Sequence, residues 1–204
     1  MFYWIVKTLF WPIGRLYFRM RVVGNVPGDG PVILAANHCS LLDPAILGSA
    51  CARPVRFMIT RRLYDRPSQR WFYRGMRAIP VSPWGLPDHA AIRGALGALR
   101  AGMVVGIFPE GVGLDPDGRL RSPRQGASLI AAWSGAPVVP VGIEGTHKSL
   151  PKGGRFPRPG RIKVTFGEPF RIPAVRSEGD RKEVRQEGAD EVMRRIASLL
   201  GDGA

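Results

Sequence analysis

Pro31-Val32-Ile33-Leu34-Ala35-Ala36, followed without a break by Asn37-His38-Cys39-Ser40-Leu41-Leu42-Asp43-Pro44, is the stretch that decides the fold. Its first six residues form an uninterrupted apolar run, the pattern of a strand buried on both faces of a parallel sheet. Met103-Val104-Val105-Gly106-Ile107-Phe108 repeats the pattern and also ends in polar residues, here Pro109-Glu110-Gly111. The long segment between the two runs permits both strands to point the same way. His38 and Glu110 then emerge along one edge of the sheet, outside the carboxyl ends of its strands, where open α/β sheets place their ligands.

Outward from these runs the chain alternates strand and helix. Strand-like stretches are expected at 19–23, 55–60, 78–81, 137–143 and 161–166. Helices are expected from Asp43 to about 51, then at 68–76, 88–101, 124–134 and 183–200, with a glycine- and charge-rich loop over 111–123. Asp43-Pro44 reads as an N-cap and first-turn pair. This order predicts an α/β fold: a single domain with a mostly parallel central sheet flanked by helices. With 204 residues, 45% of them hydrophobic, the chain can bury one substantial core, and its length demands no second domain.

The formal charge is +14, which calls for an anionic partner: nucleic acid, an anionic membrane surface or a phosphorylated substrate. Eight arginines lie between Arg53 and Arg77, interleaved with Phe57, Tyr64, Trp71, Phe72 and Tyr73. The two cysteines, Cys39 and Cys51, form no CxxC pair and have no His/Cys ligand spacing, so a reducing compartment and no metal are expected. Residues 1–20 are apolar and aromatic but are interrupted by Lys7, Pro12, Gly14 and Arg15, too early for a spanning helix of roughly 20 residues. Lys7, Arg15 and Arg19 fall on about one side of a helix and leave a broad aromatic face. We therefore expect 1–20 to be a membrane-anchoring helix lying in the interface and 21–204 to be the catalytic domain; the alternative is a core helix.

A histidine whose ring is held by a carboxylate is the smallest unit that takes a proton from a hydroxyl near neutral pH. His38 and Asp43 qualify if the segment between them turns back, because five extended residues would span roughly 17 Å. Ser40, a turn former, allows this. Asp43 has a second use as helix cap, one oxygen capping and the other holding the imidazole. Taken singly, Glu110 is a turn carboxylate and Gly111 a residue that permits positive φ. Cys39 or Ser40 as nucleophile is disfavoured, because sequence neighbours rarely align as nucleophile and base.

Together, Asn37-His38-Cys39-Ser40-Leu41-Leu42-Asp43 and Phe108-Pro109-Glu110-Gly111 resemble the NHx4D and FPEG motifs of the glycerolipid acyltransferase family. Val138 to Ile143 is similar to that family's fourth block, and the resemblance runs from about residue 21 to 170. It implies catalysis by His38 and Asp43 without an acyl-enzyme, with Asn37, Glu110 and Gly111 at the substrate. It also implies acyl-CoA or acyl carrier protein as donor and no further cofactor, a lysolipid acceptor in an anionic membrane, and a peripheral or monotopic position on the cytoplasmic face of the cell membrane. The reaction most directly implied converts 1-acylglycerol-3-phosphate to phosphatidic acid. Backbone N–H groups near the two strand ends are candidates for holding the oxyanion.

Two departures concern the acceptor. Where the family has an arginine after FPEG this chain has Val112-Gly113, and where its second block ends in arginine this chain has Ser82-Pro83. Arg119, Arg121 and Arg124 in the following loop are expected either to form an alternative phosphate clamp, since a guanidinium binds phosphate in bidentate fashion, or simply to face lipid headgroups. A lysolipid lacking a phosphomonoester is the rival acceptor. A basic nucleic-acid-binding domain built on the Arg53 to Arg77 stretch is the rival class, and it leaves both motifs and the aromatic N-terminus unexplained, so no nucleic acid is expected.

Overall fold

A computed structural model describes residues 2–82, 88–111, 119–174 and 181–201. In chain order it contains α1 (Phe2–Pro12), a π-helical turn (Ile13–Tyr17), β1 (Arg21–Val23), β2 (Val32–Ala36), α2 (Asp43–Ala50), β3 (Val55–Thr60), α3 (Arg61–Tyr64), α4 (Pro67–Gly75), β4 (Ile79–Val81) and α5 (His89–Arg100). Then come β5 (Val104–Ile107), α6 (Gly126–Ser134), β6 (Val138–Glu144), α7 (Thr146–Ser149), β7 (Lys163–Phe166) and α8 (Arg181–Ala197). The strands form one sheet in the order β1-β7-β6-β2-β5-β3-β4. Every pairing is parallel except β6 with β7.

β2 sits at the middle, paired with β5 on one side and β6 on the other, and all five of its residues are buried. That is why its sequence has no polar alternation: each face meets a helical layer. Ile33 and Ala35 join the cluster beneath α5, α6 and α8, whereas Val32, Leu34 and Ala36 join the opposite cluster with Ile46 and Leu47 of α2 and with Phe18 and Met20. Because β2 and β5 are in parallel register, Ala35 beside Ile107, the segments starting at Asn37 and Phe108 leave the sheet side by side.

Pro140 within β6 is tolerated because its missing donor falls on the β7 side where pairing is irregular. Val138 exchanges both backbone bonds with Phe170, the Pro140 carbonyl accepts from Gly167 N, and the regular ladder begins at Val141. On the other edge of the molecule Arg53 ties the loops together, donating to the carbonyls of Pro27, Asp29, Gly30 and Gly102.

The N-terminal segment packs on the domain. Tyr3 Oη donates to Gly48 O at 3.2 Å, Phe2 meets the rings of Trp71 and Phe72 edge-on, and an added Cβ at Gly75 would strike the Phe2 ring. Phe18 and Met20 are core residues, so the core extends to the N-terminal side of residue 21. The expected basic stripe is incomplete. Lys7 turns inward and donates to the carbonyls of Cys51 and Ala52 at the end of α2, where a cation satisfies orphan C=O groups. Trp4, Ile5, Leu9, Trp11 and Leu16 point outward and stay exposed. Among the described residues no helix is long and apolar enough to cross a membrane.

Candidate active site

The segment from Asn37 to Asp43 wraps around one carboxylate oxygen. Asp43 Oδ2 accepts from His38 Nδ1 at 2.9 Å and from the backbone N–H groups of Cys39 and Ser40 at 2.8 Å each. The chain turns back within five residues, as the His38–Asp43 pairing requires. The shared capping role expected of Asp43 is corrected: Leu42 is the N-cap, Asp43 is the first residue of α2, Pro44 follows it, and Oδ1 is buried with no hydrogen-bond partner. The physical reason is geometry. Three donors converge on a single oxygen and pin the carboxylate toward the preceding loop.

Asp43 is fully buried and the His38 side chain is 16% exposed. A carboxylate oxygen already receiving two N–H groups accepts from the ring, so Nδ1 carries the proton and the Nε2 lone pair is left for a substrate. The ring is also stacked on Phe108, with centroids 4.3 Å apart and planes 24° from parallel, and Phe108 lies parallel to Phe57 behind it. This brace was not anticipated. Phe108 reads as a strand end in the sequence, and the signal that marks it is the run of aromatic, proline and carboxylate.

Glu110 joins the two strand ends. It is buried, Oε1 accepts from His38 N at 2.9 Å, and Oε2 accepts from Arg121 N at 3.0 Å. Burial pushes its carboxyl pKa above the usual value, against the lowering pull of those two amides. The role at the substrate expected of Glu110 therefore acquires a different geometry: both oxygens hold backbone. Asn37 is likewise engaged, its amide exchanging two bonds with Ile143 at 2.8 and 2.7 Å and tying the end of β2 to β6.

Gly111 has φ +74°, and an added Cβ there would collide with Arg124, so the side chain of Arg124 lies directly over it. Arg124 N donates to Pro109 O at 2.8 Å, and the residue lines the cavity beside His38. Arg121 is half-buried and reaches Glu110 through its backbone, while Arg119 is exposed. Arg124 is thus the arginine of the three that the fold brings to the cavity. Gly113 and Pro83, where the resemblance expects arginines, lie outside the described residues. The amides of His38, Cys39, Ser40 and Gly111 all have protein acceptors, which removes four of the strand-end candidates for an oxyanion site.

Cys39 is buried against Thr146, its thiol pushed up to about 12 by burial and by the charge of Asp43. A thiol with that pKa is not a thiolate nucleophile at neutral pH. His38 opens on a cavity of about 530 Å³ lined largely by apolar side chains, among them Phe57, Phe72, Ile92, Ile107 and Ile130. That volume lies within the roughly 300–1,000 Å³ of small-molecule sites. Phe72 and Tyr73, two rings of the arginine-rich stretch, face this cavity, and Trp71 packs on Phe2 and Phe72.

A parallel α/β domain with a carboxylate-held histidine at the ends of adjacent strands, opening on an apolar cavity, defines an enzyme of the acid–base class. Residues 19–144 match the family Acyltransferase, and the chain belongs to it. A crystal structure of the 1-acyl-sn-glycerophosphate acyltransferase PlsC from Thermotoga maritima is similar over 97% of this chain and 80% of its own, with a TM-score of 0.73 and 29% identity. The 1-acyl-sn-glycerol-3-phosphate acyltransferase of Bacillus subtilis is 29% identical over 147 residues, 72% of this chain and 70% of its own length. The chloroplastic enzyme of that name from Arabidopsis thaliana is 29% identical over 161 residues, 76% of this chain, but the match spans only 44% of the plant protein. An N-acylphosphatidylethanolamine synthase of Arabidopsis thaliana is 28% identical over 176 residues, covering 76% of this chain and 62% of its own.

Proposed function

We propose that the protein is an O-acyltransferase that moves a fatty acyl group from acyl-CoA or acyl carrier protein to the free hydroxyl of a lysolipid, with 1-acylglycerol-3-phosphate as acceptor and phosphatidic acid as product. The observation that carries this reading is His38, its Nδ1 held by Asp43, on the wall of an apolar cavity within the size range of small-molecule sites. His38 Nε2 takes the hydroxyl proton as the oxygen bonds to the thioester carbonyl carbon. The tetrahedral intermediate then expels the thiolate, which receives that proton from the imidazolium. Asp43 stabilises the imidazolium and fixes the tautomer. General-base assistance of this kind contributes about 10²- to 10⁴-fold.

Asn37 and Glu110 serve as positioning residues in this reaction: they hold the strand ends, and with them the His38 ring, in place. Arg124 lies over Gly111 and lines the cavity, which supports it as the arginine that binds an acceptor phosphate in this reading. Membrane attachment follows from the outward aromatic face of α1 with Leu16 and with Leu41 next to the site, in a chain whose charge favours anionic headgroups. An acceptor without a phosphomonoester is the second reading, favoured by Gly113 and Pro83 in place of arginines. Acyl transfer to a panel of lysolipids, lysophosphatidate among them, separates the two: no preference for lysophosphatidate supports the second reading and rejects the first.

A further inference from the structure

Beyond the edge strand β4 lies a second cavity, of about 380 Å³, whose lining includes Arg56, Arg61 and Arg77 with Ala90 and Gly94 of α5. Arg56 belongs to β3 and Arg77 to the turn that leads into β4, and both line this cavity. Two like charges are thereby placed side by side, and one of them is partly buried. Burial, reinforced by Arg77, holds the Arg56 guanidinium below its usual pKa. Among the described residues no carboxylate lines the cavity, and none bonds these three side chains. Asp88 is within electrostatic reach of Arg61, but its oxygens accept from the amides of Ser82 and Ala91.

The backbone adds an independent sign. Arg77 has φ +52°, a left-handed conformation that is costly for a long side chain and that concentrates at sites where it serves a function. Gly94 lets α5 approach β4 closely, since a Cβ there would sit 3.2 Å from Ile79. The result is a concave, guanidinium-walled site with no carboxylate among its described lining residues, and guanidinium is the side chain best suited to bidentate phosphate contact.

We propose that this cavity binds the clustered phosphates of a soluble ligand, and that in the reaction proposed above the ligand is the nucleotide end of a coenzyme A thioester. Two observations favour that source over a lipid headgroup. Among the described residues that line it, none is a large exposed hydrophobic side chain, which a membrane contact would bring with it. The cavity also adjoins the one at His38: Ala78 lines both, and Arg61 directly follows Thr60, which lines the catalytic cavity. A donor anchored by its phosphates on Arg56, Arg61 and Arg77 has a path for its thioester arm toward His38.

The test is calorimetric titration of the full chain with desulfo-coenzyme A and with adenosine 3′,5′-bisphosphate, in wild type, Arg56→Gln and Arg77→Gly. Arg77→Gly relieves the positive φ while removing the guanidinium, so its Tm should not fall, and this keeps the test valid if Arg56→Gln folds poorly. Each variant should bind both probes at least about tenfold more weakly, the loss expected for one charge-assisted phosphate contact. Binding to vesicles of phosphatidylglycerol and phosphatidylcholine should stay unchanged, and in turnover the KM for acyl-CoA should rise with kcat retained. Absence of probe binding by wild type, wild-type probe affinity in both variants, or a loss of vesicle binding in place of probe binding would each overturn the assignment. Because the titrations need no turnover, they read the site even if lysolipid acylation itself is refuted.

Discussion

The carboxylate of Asp43 holds three donors on one oxygen and leaves the other bare, and this asymmetry separates its structural role from its chemical one. In Asp43→Asn the amide oxygen can take the place of Oδ2, with the NH₂ in the unpartnered position. The variant should fold with nearly the wild-type Tm yet lose about 10²- to 10⁴-fold in kcat, because the imidazolium has lost its counter-charge. Asp43→Ala instead strands two buried amides and should also lose about 1–3 kcal/mol of stability by denaturant titration. Glu110 supplies a pH signature. Its folded pKa is raised, so folding disfavours its ionised form; its contribution to stability is intact below pH 4.5, the usual value, and declines as pH rises through the folded value. Glu110→Gln should flatten that part of the Tm-against-pH curve, and an unchanged slope would contradict the assignment. The pairing of His38 with Asp43 was legible from residue types and spacing. The bonds of Asn37 to Ile143 and of Glu110 to His38 were not, because they join residues 106 and 72 positions apart and depend on strand order.

At the scale of elements, apolar runs with turn residues at their ends made the strands readable: the expected strand at 55–60 coincides with β3, and those around 33, 105 and 140 fall within a residue or two. Three elements escaped: the four-residue α3 after β3, α7 and the π-helical turn. α7 has four residues and no periodicity of its own, and it exists because Thr146 and Ser149 are buried beside the Ser40 segment, where Ser40 Oγ donates to Leu150 O. The π-helical turn after Pro12 depends on Gly14 packing against Met20, a contact the local pattern does not encode. The junction of α1 with α2 is testable through Lys7. Replacing it with Met keeps the apolar stem and removes the charge from the carbonyls at the end of α2, so stability should fall by about 0.3–1 kcal/mol in a thermal melt. An unchanged Tm would mean that the aromatic contacts of Phe2 and Tyr3 fix α1 by themselves.

Across the whole molecule, the sheet brings the segments after β2 and β5 to one edge, and α1 presents Trp4, Leu9, Trp11 and Leu16 outward. If this is the membrane face, Leu9→Asp with Leu16→Asp should abolish sedimentation with anionic vesicles, since each forgoes roughly 1.5–3 kcal/mol of burial in lipid, and should leave Tm nearly unchanged, since both side chains are exposed in the folded protein. Retained sedimentation would assign attachment to another surface. The overall architecture was readable because the alternation of strands and helices allows few parallel topologies. The cavity wall built from α4, α5 and α6 was not, since it needs their three-dimensional placement. The most direct measurement is release of free thiol from an acyl-CoA in the presence of lysophosphatidate vesicles, wild type beside His38→Ala. The account predicts turnover by wild type and a loss of at least about 10²-fold in the variant with Tm unchanged; equal rates in the two proteins would contradict it.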